Sequence, residues 1–485
     1  MTRTMTLRLM VAMIVTLCLV IPSAAVAQQG TPEASPAAGN LPAGVEVVAS
    51  GLTNPRGFTW GSDGSLFLAL AGTGGPDQII VEGTPLPFFG GQTSSITTVV
   101  DGCAVPLIED LPSGIWTDAG WVWGVMDVVL FEGELYALSG GGSESWGQPE
   151  SPNGVYRVLA DGTWELVADL GAWLQENPPA FIPPDYDPNG SWFDLEAGPD
   201  RLWVTEAVGG RVLTVNLAGE IEQVTDLSVG HLVPTGLALA EDGTAYVGFE
   251  TVVPYADGSS KVVAIAPDGT VTDHWTGLTA VTDIVLGPDG TLYAAEMATN
   301  NLDEEPYLRP DSGRVVRQTG PDTLEAVVTD VPYPVYLGFS DDGALYMDYP
   351  AFGPDAGIGQ GALLRFDLSA GTAISLAGIG TLPSTCASAA PESTPDGAST
   401  APDSASAVTI VDFAYVPTDL EGAVGTIASW TNQDGAPHTV TAEDGTFDSG
   451  RLEPAASFSV TFDEPGIYAY QCTFHPGMQG SVVVT

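Results

Sequence analysis

Near the end of the chain the stretch YAYQCTFHPGMQG, residues 468–480, carries Cys472, His475 and Met478 at three-residue intervals. The protein has only four histidines, and a second one, His438, stands upstream in GAPHTV. A thiolate and two imidazoles in a trigonal plane, with a weak axial thioether, give copper a geometry that changes little between its two oxidation states. On that chemistry Cys472, His438 and His475 form the plane and Met478 the axis, with one copper per chain. A cysteine with two histidines also suits zinc or stored copper(I), although the thioether speaks against zinc. A disulfide cysteine beside surface histidines is the plainer alternative. It leaves the ordered spacing of four such residues without a cause.

These side chains need a scaffold that brings distant segments together. The runs VTIVDFAYVP, TIASWTN, FSVTF, IYAYQC and GSVVVT alternate or run apolar between turn residues, the pattern of a compact β-sandwich over residues 408–485. NQDGAPHTVTAEDGTFDSG together with FDEPGIYAYQCTFHPGMQGSVVV resembles the cupredoxins, and within them the plastocyanin and amicyanin group. The short Cys-x-x-His-x-x-Met loop is most similar to amicyanin. The resemblance implies a type 1 blue-copper domain that passes single electrons, with His475 as the ligand on the exposed loop. One position departs from the group: Thr439 follows the first histidine, where the group often has Asn.

Two segments have linker composition. Residues 28–44 and 387–407 are rich in Pro, Ser, Ala and Gly and lack apolar periodicity, so neither can bury enough surface to fold. They set off a large module, residues 45–386. Within it PRGFTWGSDGSLFLAL, WGVMDVVLFEGELYAL, WFDLEAGPDRLWVTE, PTGLALAEDGTAYVGF, VTDIVLGPDGTLYAAE and PVYLGFSDDGALYMDY share one plan: an apolar strand, an acidic turn, and a strand bearing an aromatic residue. Gly64, Gly133, Gly243, Gly290 and Gly343 supply the turns, with Asp200 at the equivalent place of the third copy. Such hairpins, roughly 40 to 70 residues apart, predict a six-bladed β-propeller, with GVEVVASGL completing the last blade. The fold class is therefore all-β, a six-bladed β-propeller followed by a cupredoxin β-sandwich. The repeats resemble NHL-like propellers, and more narrowly the secreted ScyD/ScyE family, on VEVVASGLTNPRGFTWGSDGSLFLA, GLALAEDGTAYVG, GSSKVVAIAPDG and LGPDGTLYAAE. That family implies no particular activity.

Within the propeller Asp127 and Asp194 precede their turns by the same number of residues, and Asp283 lies one place earlier. They are expected to cap turns or line a wet channel, with calcium binding or substrate polarisation as the sharper alternative. Glu206, Glu250 and Glu296, after second strands, are expected to stabilise turns. His231 is the histidine placed where a propeller site would use a general base, and a surface role is the simpler expectation.

The opening residues carry Arg3 and Arg8, an apolar run and the small-residue site Ala25, Val26, Ala27, a secretory signal over residues 1–27. A membrane span is not expected, because the run is short and reaches Pro22. The product is expected to be secreted, periplasmic or extracellular. A formal net charge of −49 repels nucleic acid and anionic lipid. It keeps an exported protein in solution, or draws a basic redox partner. In an oxidising compartment Cys103 and Cys386 are expected to pair. Three functions fit the sequence: a blue-copper electron carrier whose propeller binds a ligand or partner; a propeller oxidoreductase feeding its own copper domain; and a non-catalytic cell-surface scaffold.

Overall fold

The computed structural model describes residues 41–379, 382 and 405–484. Within these it leaves out 76, 80–87, 101, 117–119, 305–306, 351–359, 412–413, 417, 425, 433–437, 443–445, 448, 450–451, 453–456, 463–464 and 473–477. The expected signal sequence, most of both linkers, Cys386 and His475 lie outside the described residues.

The described chain is almost entirely β. Six antiparallel sheets follow one another. The first contains Pro55–Trp60, Leu66–Leu70, Phe88–Val100, Cys103–Trp116 and Trp121–Trp123. The second contains Val125–Phe131, Glu134–Ser139, Gly154–Val158 and Trp164–Asp169. The third runs from Trp192–Ala197 to Ile221–Asp226, the fourth from Pro234–Leu239 to Val271–Leu278, and the fifth from Val281–Leu286 to Thr323–Val331, with a short parallel strand, Ile374–Ser375, added. The sixth joins Leu337–Phe339, Leu345–Tyr349 and Gly361–Phe366 to Val45–Leu52, the segment expected to complete it.

Each repeat begins with the hairpin its sequence announces. Gly64, Gly133, Gly243, Gly290 and Gly343 all have φ between 78° and 85°, a region that costs glycine nothing and other residues about 1 kcal/mol or more. The strands between turns bury one cluster at every seam. Ala69, Ile96, Val128 and Ala137 join the first sheet to the second, and Leu138, Val155, Leu195 and Val204 the second to the third. Val212, Leu237 and Val247 continue to the fourth, Val262, Trp275, Ile284 and Ala294 to the fifth, and Val315, Val328, Leu345 and Leu364 to the sixth. Ala49, Leu68, Leu70 and Leu363 then join the sixth sheet to the first. The seams form a closed cycle.

Polar staples lock the first strands of successive sheets together. Asp127 Oδ2 accepts the N–H of Leu195 at 2.9 Å, Asp194 Oδ2 that of Leu237 at 2.6 Å, and Asp283 Oδ2 that of Leu337 at 2.7 Å. Each bond crosses to the following sheet. The expectation of turn caps or a wet channel is thus not met: all three carboxylates are buried, each takes a backbone N–H of the following sheet, and Asp127 and Asp194 also hydrogen-bond each other. Asp283 is equivalent to the other two despite its offset, because its turn, between Leu286 and Leu292, is longer than that between Phe131 and Glu134. Burial, and then the charge of Asp194, push the carboxyls of Asp127 and Asp283 well above the usual range.

The C-terminal part is a two-sheet sandwich, and it begins before the expected residue 408: Ala405, Ser406 and Ala407, expected to belong to the linker, pair in parallel with Ile427, Ala428 and Ser429, because a strand's backbone pairing does not require apolar side chains. One sheet has the order Ala414–Val416, Ala405–Val411, Thr426–Asn432, Ser457–Phe462; the other has Asp419–Gly422, Gln479–Val484, Gly466–Gln471, Thr441–Ala442. Val408, Ile410, Trp430, Val440, Phe462, Tyr470 and Val482 fill the space between them. No helix among the described residues is long and apolar enough to cross a membrane.

Candidate metal centre

Cys472 is the first residue after Gly466–Gln471, and Met478 the last before Gln479–Val484. Those strands pair antiparallel with Gln471 opposite Gln479, so the two sulfur side chains meet at one end of the sandwich. The Cys472 N–H donates to the Met478 carbonyl at 3.1 Å and closes the loop between them. His438 arrives from the other direction. Its N–H and carbonyl exchange hydrogen bonds with Leu452 at 2.9 and 2.6 Å, and three residues later Thr441 pairs with Gln471.

This places His438 Nδ1 3.7 Å from Cys472 Sγ. Metal–sulfur and metal–nitrogen bonds of about 2.3 and 2.0 Å, opened to a trigonal angle of about 120°, put two such donors about 3.7 Å apart. The pair therefore fits two corners of a trigonal plane. All three side chains are shielded from water: His438 is 0 % exposed, Cys472 2 % and Met478 5 %. Cys472 is in no disulfide, as a thiolate ligand must be. The backbone N–H of Thr439 donates to Cys472 Sγ at 3.3 Å, so the tie at the departing position runs through the main chain and needs no side-chain amide.

Among the described residues no group of three or more His, Cys, Asp or Glu could hold an ion. The structure brings together His438, Cys472 and Met478; His475 lies outside the described residues. Reasoning from side-chain types missed Tyr415, whose hydroxyl donates to the Thr439 carbonyl at 2.5 Å. It missed Leu452 too, which acts through its backbone alone. The apolar alternation of VTIVDFAYVP points to a strand and says nothing of where its tyrosine hydroxyl ends.

Glu206 Oε1 accepts the N–H groups of Ser191 and Gly209, and Glu296 Oε1 that of Thr279, so these two tie loops as expected. Glu296 also pairs with Arg314. Glu250 is buried, and burial pushes its carboxyl up to about 8. His231, expected at the surface, is largely buried instead: its Nε2 is shielded from solvent and faces the exposed Asp185 Oδ1 at 3.2 Å.

Comparison with known proteins places the C-terminal geometry. Residues 403–485 match the copper binding proteins of the plastocyanin/azurin family. Amicyanin of Paracoccus denitrificans is 34% identical over 99 residues, 19% of this chain and 76% of that protein. Halocyanin of Natronomonas pharaonis is 39% identical over 79 residues, 15% of this chain and 48% of its own. The solved Cu(I) form of a methionine-to-alanine mutant of amicyanin, 34% identical, covers 20% of this chain and 95% of its own, with a TM-score of 0.17. The match of residues 403–485 to the family and identity at this level over three quarters of amicyanin lead to one assignment: through its C-terminal domain the chain belongs to the plastocyanin/azurin family of copper-binding proteins.

Proposed function

We propose that the protein is an exported one-electron carrier whose C-terminal cupredoxin domain holds one type 1 copper, joined by the Pro/Ser/Ala-rich segment that precedes Ala405 to a six-bladed, ScyD/ScyE-like propeller that binds a ligand or a basic redox partner. The observation that carries the copper reading is the 3.7 Å approach of His438 Nδ1 to the buried Cys472 Sγ, which is in no disulfide, with Met478 at the other end of the same loop. His438, Cys472 and His475 would be the planar ligands and Met478 the axial one. When bound, copper supplies a centre that accepts and releases single electrons at nearly constant geometry.

The chain's own residues do the rest. Burial of His438, Cys472 and Met478 keeps water out of the coordination positions. The Thr439 N–H draws density from the sulfur and holds its orientation. The hydrogen bonds between His438 and Leu452 fix the imidazole's backbone, and His475 is the ligand assigned to electron entry and exit by the resemblance.

The propeller reading draws on six successive sheets, a complete cycle of shared clusters and the seating of Val45–Leu52 in the sixth sheet. Its staples account for Asp127, Asp194 and Asp283 through folding, which favours a binding scaffold over an oxidoreductase. Cys103 is disulfide-bonded, and Cys386 is its proposed partner. The test is copper loading of the purified full chain, followed by metal analysis and a visible spectrum. One copper per chain with an intense thiolate-to-copper charge-transfer band is expected; a colourless protein in the presence of copper(II) and oxidant refutes the reading.

A further inference from the structure

We infer that Tyr415 is a positioning residue for the metal centre, acting on the Cys472 thiolate through Thr439; the inference rests on the copper reading above. The peptide unit that joins His438 to Thr439 is engaged at both ends. Its carbonyl accepts the Leu452 N–H at 2.6 Å, and its N–H donates to Cys472 Sγ at 3.3 Å. Hydrogen bonds on the two ends of one peptide polarise each other, so the Leu452 bond strengthens the donor that faces the sulfur.

An N–H···S bond depends on how the donor is aimed, and Thr439 is aimed from its far side. The Tyr415 hydroxyl donates to the Thr439 carbonyl at 2.5 Å, and Thr441 Oγ1 donates to Thr439 Oγ1 at 3.0 Å. Tyr415 is itself immobile: it is 1 % exposed, and its ring stands edge-on to Tyr470 with centroids 4.8 Å apart. Tyr470 precedes Cys472 by two residues on the same strand. One aromatic side chain from Ala414–Val416 therefore grips the residue after the first histidine and leans on the strand that carries the thiolate. Neither contact touches the metal position.

The consequence falls on the redox equilibrium. Thiolate donation stabilises copper(II) more than copper(I), so a hydrogen bond that weakens this donation raises the potential. Tyr415→Phe keeps the ring packing and removes the grip. The Thr439 N–H then drifts from Sγ, and the copper(II) to copper(I) ratio at a fixed poise rises by on the order of tenfold, the lower end of what removing an outer partner costs a metal site.

Three readouts on the full chain decide this: the midpoint potential, the energy of the charge-transfer band, and amide hydrogen exchange at Thr439 in copper-free protein. A lower potential, a shifted band and faster Thr439 exchange in Tyr415→Phe support the inference. Wild-type protein that is blue, with a Tyr415→Phe variant unchanged in all three, overturns it. Wild-type protein that is never blue overturns the copper reading, and Thr439 exchange still tests the grip. Should Tyr415→Phe fail to fold, Thr441→Val removes the second tether and is expected to shift the potential the same way by a smaller factor. A Thr439 amide that exchanges in the wild type as fast as an unbonded one overturns the inference whichever variant folds.

Discussion

At Cys472 a serine would fit the space and fail the chemistry. A hydroxyl stays protonated near neutral pH and lacks the soft donor, so Cys472→Ser is expected to abolish the blue band and leave copper weakly held. Met478→Gln is expected to keep both copper and band while changing the potential, because an axial ligand tunes a site that the planar donors build. Absorption spectra and voltammetry of the two variants check the assignment; an intense blue Cys472→Ser protein beside a metal-free Met478→Gln protein would exchange the roles. These residues were legible in the sequence because copper chemistry demands particular side chains. The Thr439 tie was not, since a backbone N–H leaves no mark on residue type. The Asn that the group often has at this position suggested a side-chain link, and the main chain supplies the bond instead.

At the scale of elements, hairpin turns and apolar alternation gave the strands, the order of the repeats and the role of Val45–Leu52. Turn glycines with positive φ and residues that face one seam every second position are local properties, and a local reading finds them. The staples are not local. Asp127, Asp194 and Asp283 reach a neighbouring sheet about 40 to 70 residues further along, and only the packed structure shows that they meet a backbone donor there. Asp283→Ala leaves the N–H groups of Leu337 and Ile284 buried without this acceptor, at a cost of about 1 to 3 kcal/mol for each donor that stays unsatisfied. Denaturant unfolding measures it; a change below about 0.5 kcal/mol would deny the staple its role. Gly57, in the first sheet, tests a different staple, that of Asp127. A Cβ there would lie 1.6 Å from Asp127 Oδ1, so Gly57→Ala must displace the carboxylate and is expected to destabilise the fold by roughly 1 to 3 kcal/mol.

At the scale of the whole molecule, buried acids set how stability varies with pH. Burial pushes Glu206 up to about 7 and both Glu250 and Asp348 up to about 8, and it raises Asp127, Asp194 and Asp283 as well. The folded chain thus holds protons that the unfolded chain has released above its ordinary carboxylate range of about 4. That stabilisation is full below about pH 4 and is lost as the pH climbs through 7 to 8. Calorimetry is expected to give a higher Tm at pH 5 than at pH 8 for the large module, and the opposite order would contradict these assignments. Metal-ligand variants are expected to leave that transition unmoved, because the Pro/Ser/Ala-rich composition of residues 387–404 predicts a linker between two separately folding modules. Thiol counting on denatured, metal-free protein from an oxidising compartment is expected to find one reactive cysteine, Cys472, alongside the bonded Cys103. The central claim, a single copper that cycles by one electron behind His438, Cys472, His475 and Met478, is tested most directly by spectroelectrochemical titration of the copper-loaded chain. The account predicts one copper per chain and a blue band that bleaches and returns along a one-electron Nernst curve. A band that is absent, or that does not respond to potential while copper stays bound, would contradict it.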